Sequence, residues 1–218
     1  MPPALSSLLV ELDIHLPPDR TSSVLDHFHY DASAGSDQHD VLLLSSQSPN
    51  RADSYNFFSE KGIIAFPRAV GQELGSQSPL LTSILRAKDT SYTYGPKEDA
   101  EYAEDPFAVG SQISLVTALQ ARNSARFTVF GSAEALEDQW LKANVKAVDG
   151  STGSTINRVF ARQVSAWTFQ ELGVLSVGRV EHRLKPDALD AAQNASVAEL
   201  NPLNPSMYRI KNVVVSEV

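Results

Sequence analysis

Short apolar runs, alternating stretches and helically spaced apolar positions follow one another along this chain. Residues 40–44 (DVLLL) read as a buried strand, and residues 61–70 (KGIIAFPRAV) as a second extended segment broken by Pro67. Leu80, Leu81, Ile84 and Leu85 recur at helical spacing and predict a helix between Pro79 and Ala87. Ser91-Tyr92-Thr93-Tyr94 alternates as a strand, and Gly95-Pro96 stops it. Two strong strands are predicted at 113–121 and 126–130, joined by the hairpin-sized connection Arg122-Asn123-Ser124-Ala125. Gly131-Ser132 then opens a predicted helix running to about residue 143, with Ser132 as N-cap and Glu134, Glu137 and Asp138 near the positive end of its dipole.

The Gly/Ser/Thr-rich segment 149–155 reads as a loop. After it, Ile156, Val159, Phe160, Val164, Trp167 and Leu172 fall on one helical face, with Gly173 placed as the C′ residue that ends the helix. A core strand follows at 174–180 and leads to His182. From 185 to 204, Pro, Ala and Asn dilute the apolar signal and mark a linker, and 208–215 reads as a lone strand whose partner is not evident in the sequence. The acidic stretch 97–106 reads as an exposed loop. No internal repeat recurs at a fixed period.

Composition narrows the class. A chain of 218 residues, 42% hydrophobic and 20% charged, has room for one large domain with a small appendage and is not of the disordered type. Its mean hydropathy is −0.18. Lys and Arg number 18 against 26 Asp and Glu, so the net charge is −8, and the basic footprint that nucleic-acid phosphates demand is missing. The absence of cysteine excludes disulfides, thiolate zinc sites, Fe–S clusters and Cys nucleophiles. No run approaches the roughly 18 apolar residues of a spanning helix, and Met1-Pro2-Pro3-Ala4 lacks the basic start of a secretory leader.

The conspicuous polar cluster is Asp26-His27-Phe28-His29-Tyr30-Asp31, with His39-Asp40 close behind. In a strand, positions i and i+2 share a face, so His27 and His29 would reach one zinc or copper ion. The spacing fixes no third ligand, and such clusters at a strand end often satisfy turn hydrogen bonds instead, so a structural role is expected for Asp26, His27 and His29. Asp99 and Glu101, which resemble a metal-nucleotide pair, sit in the acidic loop and read as solvated. The patterns GxGxxG, GxxxxGK[ST], GxSxG and HExxH do not occur, and Gly150-Ser151-Thr152-Gly153 lacks the Lys of a phosphate loop. No catalytic residue, cofactor or metal is expected. Asn194-Ala195-Ser196 is a glycosylation sequon in the linker, usable only in the secretory pathway.

Several long strings are more specific than these motifs. Residues 24–31 (VLDHFHYD), then 119–126 (LQARNSAR) running into Phe130-Gly131-Ser132, resemble the fungal-like DDOST/Wbp-type (48 kDa/beta) subunit family of oligosaccharyltransferase. Residues 167–175 (WTFQELGVL) with 177–182 (VGRVEH) resemble the same family further along, as does 204–212 (NPSMYRIKN). The similarity covers most of residues 5–182 and the tail from about 202. His29 departs from the family pattern, in which Asn is common.

The resemblance implies a non-catalytic subunit that scaffolds and stabilises the complex moving oligosaccharide from dolichyl diphosphate to Asn-X-Ser/Thr, on the luminal side of the endoplasmic-reticulum membrane. Implied partners are the ribophorin II/Swp-type, DAD/Ost-type and catalytic STT-type subunits. The implied fold is α/β: an incomplete glutamine-amidotransferase-like (flavodoxin/Rossmann-like) domain at 1–184, a linker at 185–204, and the first strand of a β-rich domain at 205–218. On this expectation the chain begins part-way into the α/β domain and stops as the next begins, so leader and C-terminal membrane helix lie outside it, and its isolated sheet edges favour aggregation. A cysteine-free amidotransferase-like fold has no nucleophile for amide chemistry. Two readings from other classes stand beside this one. The first is a stand-alone amidotransferase-like or metal-dependent hydrolase using Asp26, His27, His29 and Asp31. The second is a carbohydrate-binding module stacking sugar on Trp140, Trp167, Tyr92 and Tyr94, although both Trp residues lie on apolar helical faces.

Overall fold

The computed structural model describes residues 3–19, 21–33, 39–46, 55–75, 78–95, 105–172, 175–184 and 208–217. These form two compact units, Met1–Phe169 and Gln170–Val218. The first is mixed α/β and made mostly of strands. Helix α1 (Pro3–Glu11) leads into β1 (Ile14–His15), and β2 (Ser23–Leu25), β3 (Val41–Ser45), β4 (Ile63–Pro67), β5 (Gln72–Leu74), β6 (Leu81–Arg86) and β7 (Tyr92–Tyr94) follow. After a 3-10 turn at Gly110–Gln112 come β8 (Ile113–Gln120) and β9 (Arg126–Phe130). A second 3-10 turn (Glu134–Leu136) and the single-turn α2 (Asp138–Leu141) precede β10 (Asn144–Lys146), β11 (Thr152–Ser154) and α3 (Asn157–Thr168).

Strand β8 organises the main sheet. Its residues Ile113 to Ala118 are buried on both faces, and β5, β6 and β9 all pair with it, β1 joining through β5. Ser114 and Thr117 enter this dry layer without penalty because their hydroxyls bond each other at 2.8 Å, and Ser83 Oγ closes on Ser114 Oγ at 2.7 Å. Hairpin β3–β4 supplies Leu42, Leu44, Ile64 and Phe66 to the same core, and α3 covers it with Phe160, Val164 and Trp167. Every multi-residue ladder among the described residues is antiparallel, the bridge Ile63–Thr155 being parallel. The parallel sheet of a flavodoxin-like layer is therefore not among the described residues.

The strands at 41–44, 63–67, 92–94, 113–120 and 126–130 and the helix over 157–168 form as the pattern predicts. The helix expected between Pro79 and Ala87 is strand β6. A bulge between Ser83 and Leu85 breaks the two-residue alternation, so adjacent Ile84 and Leu85 are both buried and the apolar spacing imitates a helix. The helix expected from Ser132 to 143 shrinks to a 3-10 turn and one turn of α2. Ser132 Oγ still accepts the Ala135 N–H at 3.3 Å, but it also donates to Pro67 O at 2.5 Å, which anchors the turn to β4. The loop expected at 149–155 contains β11, paired with β10 around a turn that needs positive φ at Gly150 (85°).

In the second unit, β12 (Leu175–Leu184) pairs antiparallel with β13 (Tyr208–Glu217), so the strand read as lone has a partner. The helix expected to run through Leu172 to Gly173 stops at Thr168, where Phe169 is its C-cap and donates its N–H to Ser165 O at 2.9 Å. Gly173 itself, the linker 185–204 with Asn194, and the acidic pair Asp99 and Glu101 lie outside the described residues.

Candidate functional site

The polar cluster assembles where β2 ends. Residues 27–29 form a bend, not a strand, so the premise that His27 and His29 share a face does not hold. Asp26, 1% exposed, explains the bend. Its Oδ1 accepts the backbone N–H of Phe28 at 2.8 Å and of His29 at 3.0 Å. Its Oδ2 accepts the hydroxyls of Thr90 at 2.7 Å and Ser91 at 2.9 Å and lies 3.3 Å from His29 Nδ1. Burial pushes this carboxyl up, but the backbone N–H of Phe28, the Thr90 and Ser91 hydroxyls and the N–H of His29 together outweigh it and hold it below its usual range.

The two histidines turn to different partners. His29 Nδ1 lies 3.1 Å from Thr90 Oγ1, whereas His27 Nδ1 faces His39 Nδ1 at 2.6 Å and its Nε2 meets the Tyr92 hydroxyl at 2.8 Å. Tyr30 stacks on His39 with ring centroids 3.8 Å apart. His39 itself has φ 55°, and its carbonyl accepts the Asp26 N–H at 3.3 Å. Among the described residues, no group of three or more His, Cys, Asp or Glu side chains is placed to hold a metal ion.

Asp31 has a separate task. Its Oδ1 accepts the N–H of Ser33 at 3.0 Å, the Ser33 hydroxyl at 2.7 Å and the Lys146 N–H at 2.9 Å, which ties the strand-entry loop to β10. Asp40 is buried, with its Oδ1 lacking a hydrogen-bond partner among the described residues. The proposed sugar-stacking residues scatter. Trp167 is 7% exposed with the Arg126 guanidinium over its ring at 4.6 Å, and Trp140 packs against Leu43, Ala65 and Val145. Only Tyr94 stands open, at 50% exposure, while Tyr92 is engaged by His27.

Sequence reasoning missed Asn157 altogether. Its side chain, 2% exposed, accepts the Ala65 N–H at 2.9 Å and donates to Ala65 O at 2.7 Å and Ala135 O at 3.1 Å. It thus pairs with both backbone groups of Ala65 as a neighbouring strand would. The signal available was an Asn opening an amphipathic helix, which reads as a cap.

The strings distinctive in the sequence also meet in space. Arg126 Nη1 donates to Trp167 O at 2.7 Å, and Thr128 and Thr168 share a hydroxyl contact of 2.6 Å, so β9 is stapled to the end of α3. What the fold and cluster define is a strand-rich α/β domain whose buried polar groups are spent on holding its loops and helix ends. The chain belongs to the family described as OST48, N-terminal domain, whose model matches residues 1–171.

It is similar to the subunit wbp1 of dolichyl-diphosphooligosaccharide–protein glycosyltransferase from Schizosaccharomyces pombe, at 32% identity over 219 residues, covering 100% of this chain and 45% of that protein. It is also similar to the 48 kDa subunit of the same glycosyltransferase from Drosophila melanogaster, at 30% identity over 88% of this chain and 42% of the relative. The Caenorhabditis elegans 48 kDa subunit is 31% identical over 82% of this chain and 40% of the relative. The chain thus spans less than half the length of these relatives.

Proposed function

We propose that this chain serves in protein N-glycosylation as part of a non-catalytic, stabilising subunit of the oligosaccharyltransferase complex, on the luminal side of the endoplasmic-reticulum membrane. The observation that carries the reading is the family match across residues 1–171, together with three relatives each named as a subunit of dolichyl-diphosphooligosaccharide–protein glycosyltransferase. The proposed partners are the ribophorin II/Swp-type, DAD/Ost-type and catalytic STT-type subunits. The scaffold role is supported by the use made of Asp26, whose two oxygens accept two backbone N–H groups and two hydroxyls that set the bend 27–29. Within the proposal, 185–204 is a linker carrying Asn194 as a glycan acceptor, and 205–218 opens a β-rich region.

No helix among the described residues is long and apolar enough to cross a membrane. The amidotransferase-like ancestry of residues 1–184 rests on the family resemblance, since the described ladders do not supply its parallel sheet. Two assays test the function. The purified chain, given lipid-linked donor and acceptor peptide, is expected to transfer nothing; turnover without any other subunit would overturn the non-catalytic role. Exchanged for the matching part of wbp1 in fission yeast, the chain is expected to co-purify with the complex and sustain glycosylation, and failure of a well-folded chimera to associate would overturn membership of the assembly.

A further inference from the structure

We propose that His27 and His39 form a two-imidazole site for a single late first-row divalent ion, zinc or copper, with water in the remaining positions. The two Nδ1 atoms face each other at 2.6 Å between the bend that follows β2 and the residue pair that enters β3. Imidazole nitrogen is a favoured ligand for these ions. Two nitrogens bonded to one ion at about 2.0–2.1 Å stand about 2.9 Å apart at a right angle and about 3.4 Å apart at a tetrahedral one, so the rings need to separate by about 0.3–0.8 Å. His27 is exposed and His39 half-buried, which leaves open space for that movement and for water.

Both rings are already oriented by groups other than the ligating atoms. The Tyr92 hydroxyl sits 2.8 Å from His27 Nε2. With the ring proton on Nε2 and donated to that oxygen, His27 Nδ1 keeps its lone pair. A hydrogen-bonding partner on the second ring nitrogen is what fixes tautomer and orientation in metal-ligating histidines. His39 is held by its stack on Tyr30, at an interplanar angle of 17°, and by the Asp26 N–H on its carbonyl. Without an ion, the same geometry is an N–H···N hydrogen bond in which His39 Nδ1–H donates to His27. When the ion enters, the His39 proton moves to Nε2 and both Nδ1 lone pairs turn to the metal. The buried side chain of Asp26, one residue before His27, holds the bend that carries this ligand by accepting the backbone N–H groups of Phe28 and His29. His29 is not a ligand, because its Nδ1 is directed to Asp26 and Thr90.

The test titrates the whole 218-residue chain with zinc and, separately, copper at neutral pH by calorimetry, with electron paramagnetic resonance of the copper form. Saturable uptake of one ion per chain is expected, with copper coupled to two imidazole nitrogens. His27→Ala and His39→Asn are each expected to weaken binding at least about ten-fold, and Tyr92→Phe by about ten-fold through the lost tautomer control. Asn suits the left-handed backbone at position 39, so that variant keeps its fold, which a thermal melt verifies. His29→Ala is expected to bind as the parent does. No saturable uptake, or uptake that persists unchanged in the folded His27→Ala/His39→Asn double variant, overturns the site.

Discussion

A buried carboxylate such as Asp26 survives only if its lone pairs are occupied, and here backbone, hydroxyl and imidazole groups occupy both oxygens. Asp26→Ala is therefore expected to cost about 3 kcal/mol, measured by denaturant unfolding, because several charge-assisted bonds vanish together and leave Thr90 and Ser91 with unmet hydroxyls. The carboxyl lies below its ordinary value of 3.8 in the folded chain. The folded state then binds fewer protons than the unfolded one across the interval between the two values. Its stabilising contribution is complete above the ordinary value and is lost as pH falls through the lower one, so the acid limb of the stability profile should flatten in Asp26→Asn. Asn157 has the same character without the charge. Asn157→Ala is expected to destabilise by about 2–3 kcal/mol, since it strands both polar backbone groups of Ala65 in a dry layer. Asp26, His27, His29, Asp31 and His39 stood out in the sequence, but their pairing did not. Thr90, Ser91 and Tyr92 are more than sixty positions away from Asp26 and His27 along the chain, and no local spacing rule could join them.

At the scale of elements, the runs that formed as predicted are those whose apolar period is undisturbed. The eight residues of β8 and the hairpin to β9 are of this kind, as is α3 with its single apolar face. The misreading at β6 arose from a bulge, which places two consecutive residues inward and copies a helical spacing. Beyond β9, Gly131 bridges two partners: its N–H donates to Leu115 O and its carbonyl accepts the Val70 N–H, both at 2.8 Å. A Cβ at this position would stand 2.5 Å from Val70 O and 2.9 Å from Leu115 O. Both obstacles are backbone oxygens, Leu115 O in the central strand β8 and Val70 O in the connection between β4 and β5, and neither can swing aside as a side chain would. Gly131→Ala is accordingly expected to lower the unfolding free energy by about 1–3 kcal/mol, whereas Gly150→Asn, at an open turn with positive φ, should cost less than about 1 kcal/mol. Thermal melts of the two variants side by side would distinguish packing from conformation as the cause.

For the whole molecule, the described hydrophobic core is drawn entirely from residues 1–169, with β8 at its centre and β3, β4 and α3 around it. A chain ending at Phe169 is expected to keep a cooperative melt within a few degrees of the parent, and loss of cooperativity on that truncation would show that residues 170–218 complete the core. In hydrogen exchange, β8 should be the slowest strand of the first unit, because Ile113 to Ala118 are buried and β5, β6 and β9 all pair with it. The sequence by itself determined the family, because long ordered strings such as 119–126 and 167–175 are specific without any coordinates. It also determined the strands and the helix with clean periods, which depend on neighbours along the chain. Only the tertiary structure decided that these two strings meet through Arg126 and Trp167, that β13 has a partner in β12, that every described multi-residue ladder is antiparallel, and that His27 faces His39 instead of sharing a face with His29. Strand pairing and side-chain convergence are set by contacts between residues far apart in sequence, whose loop-closure and burial terms leave no local periodic trace.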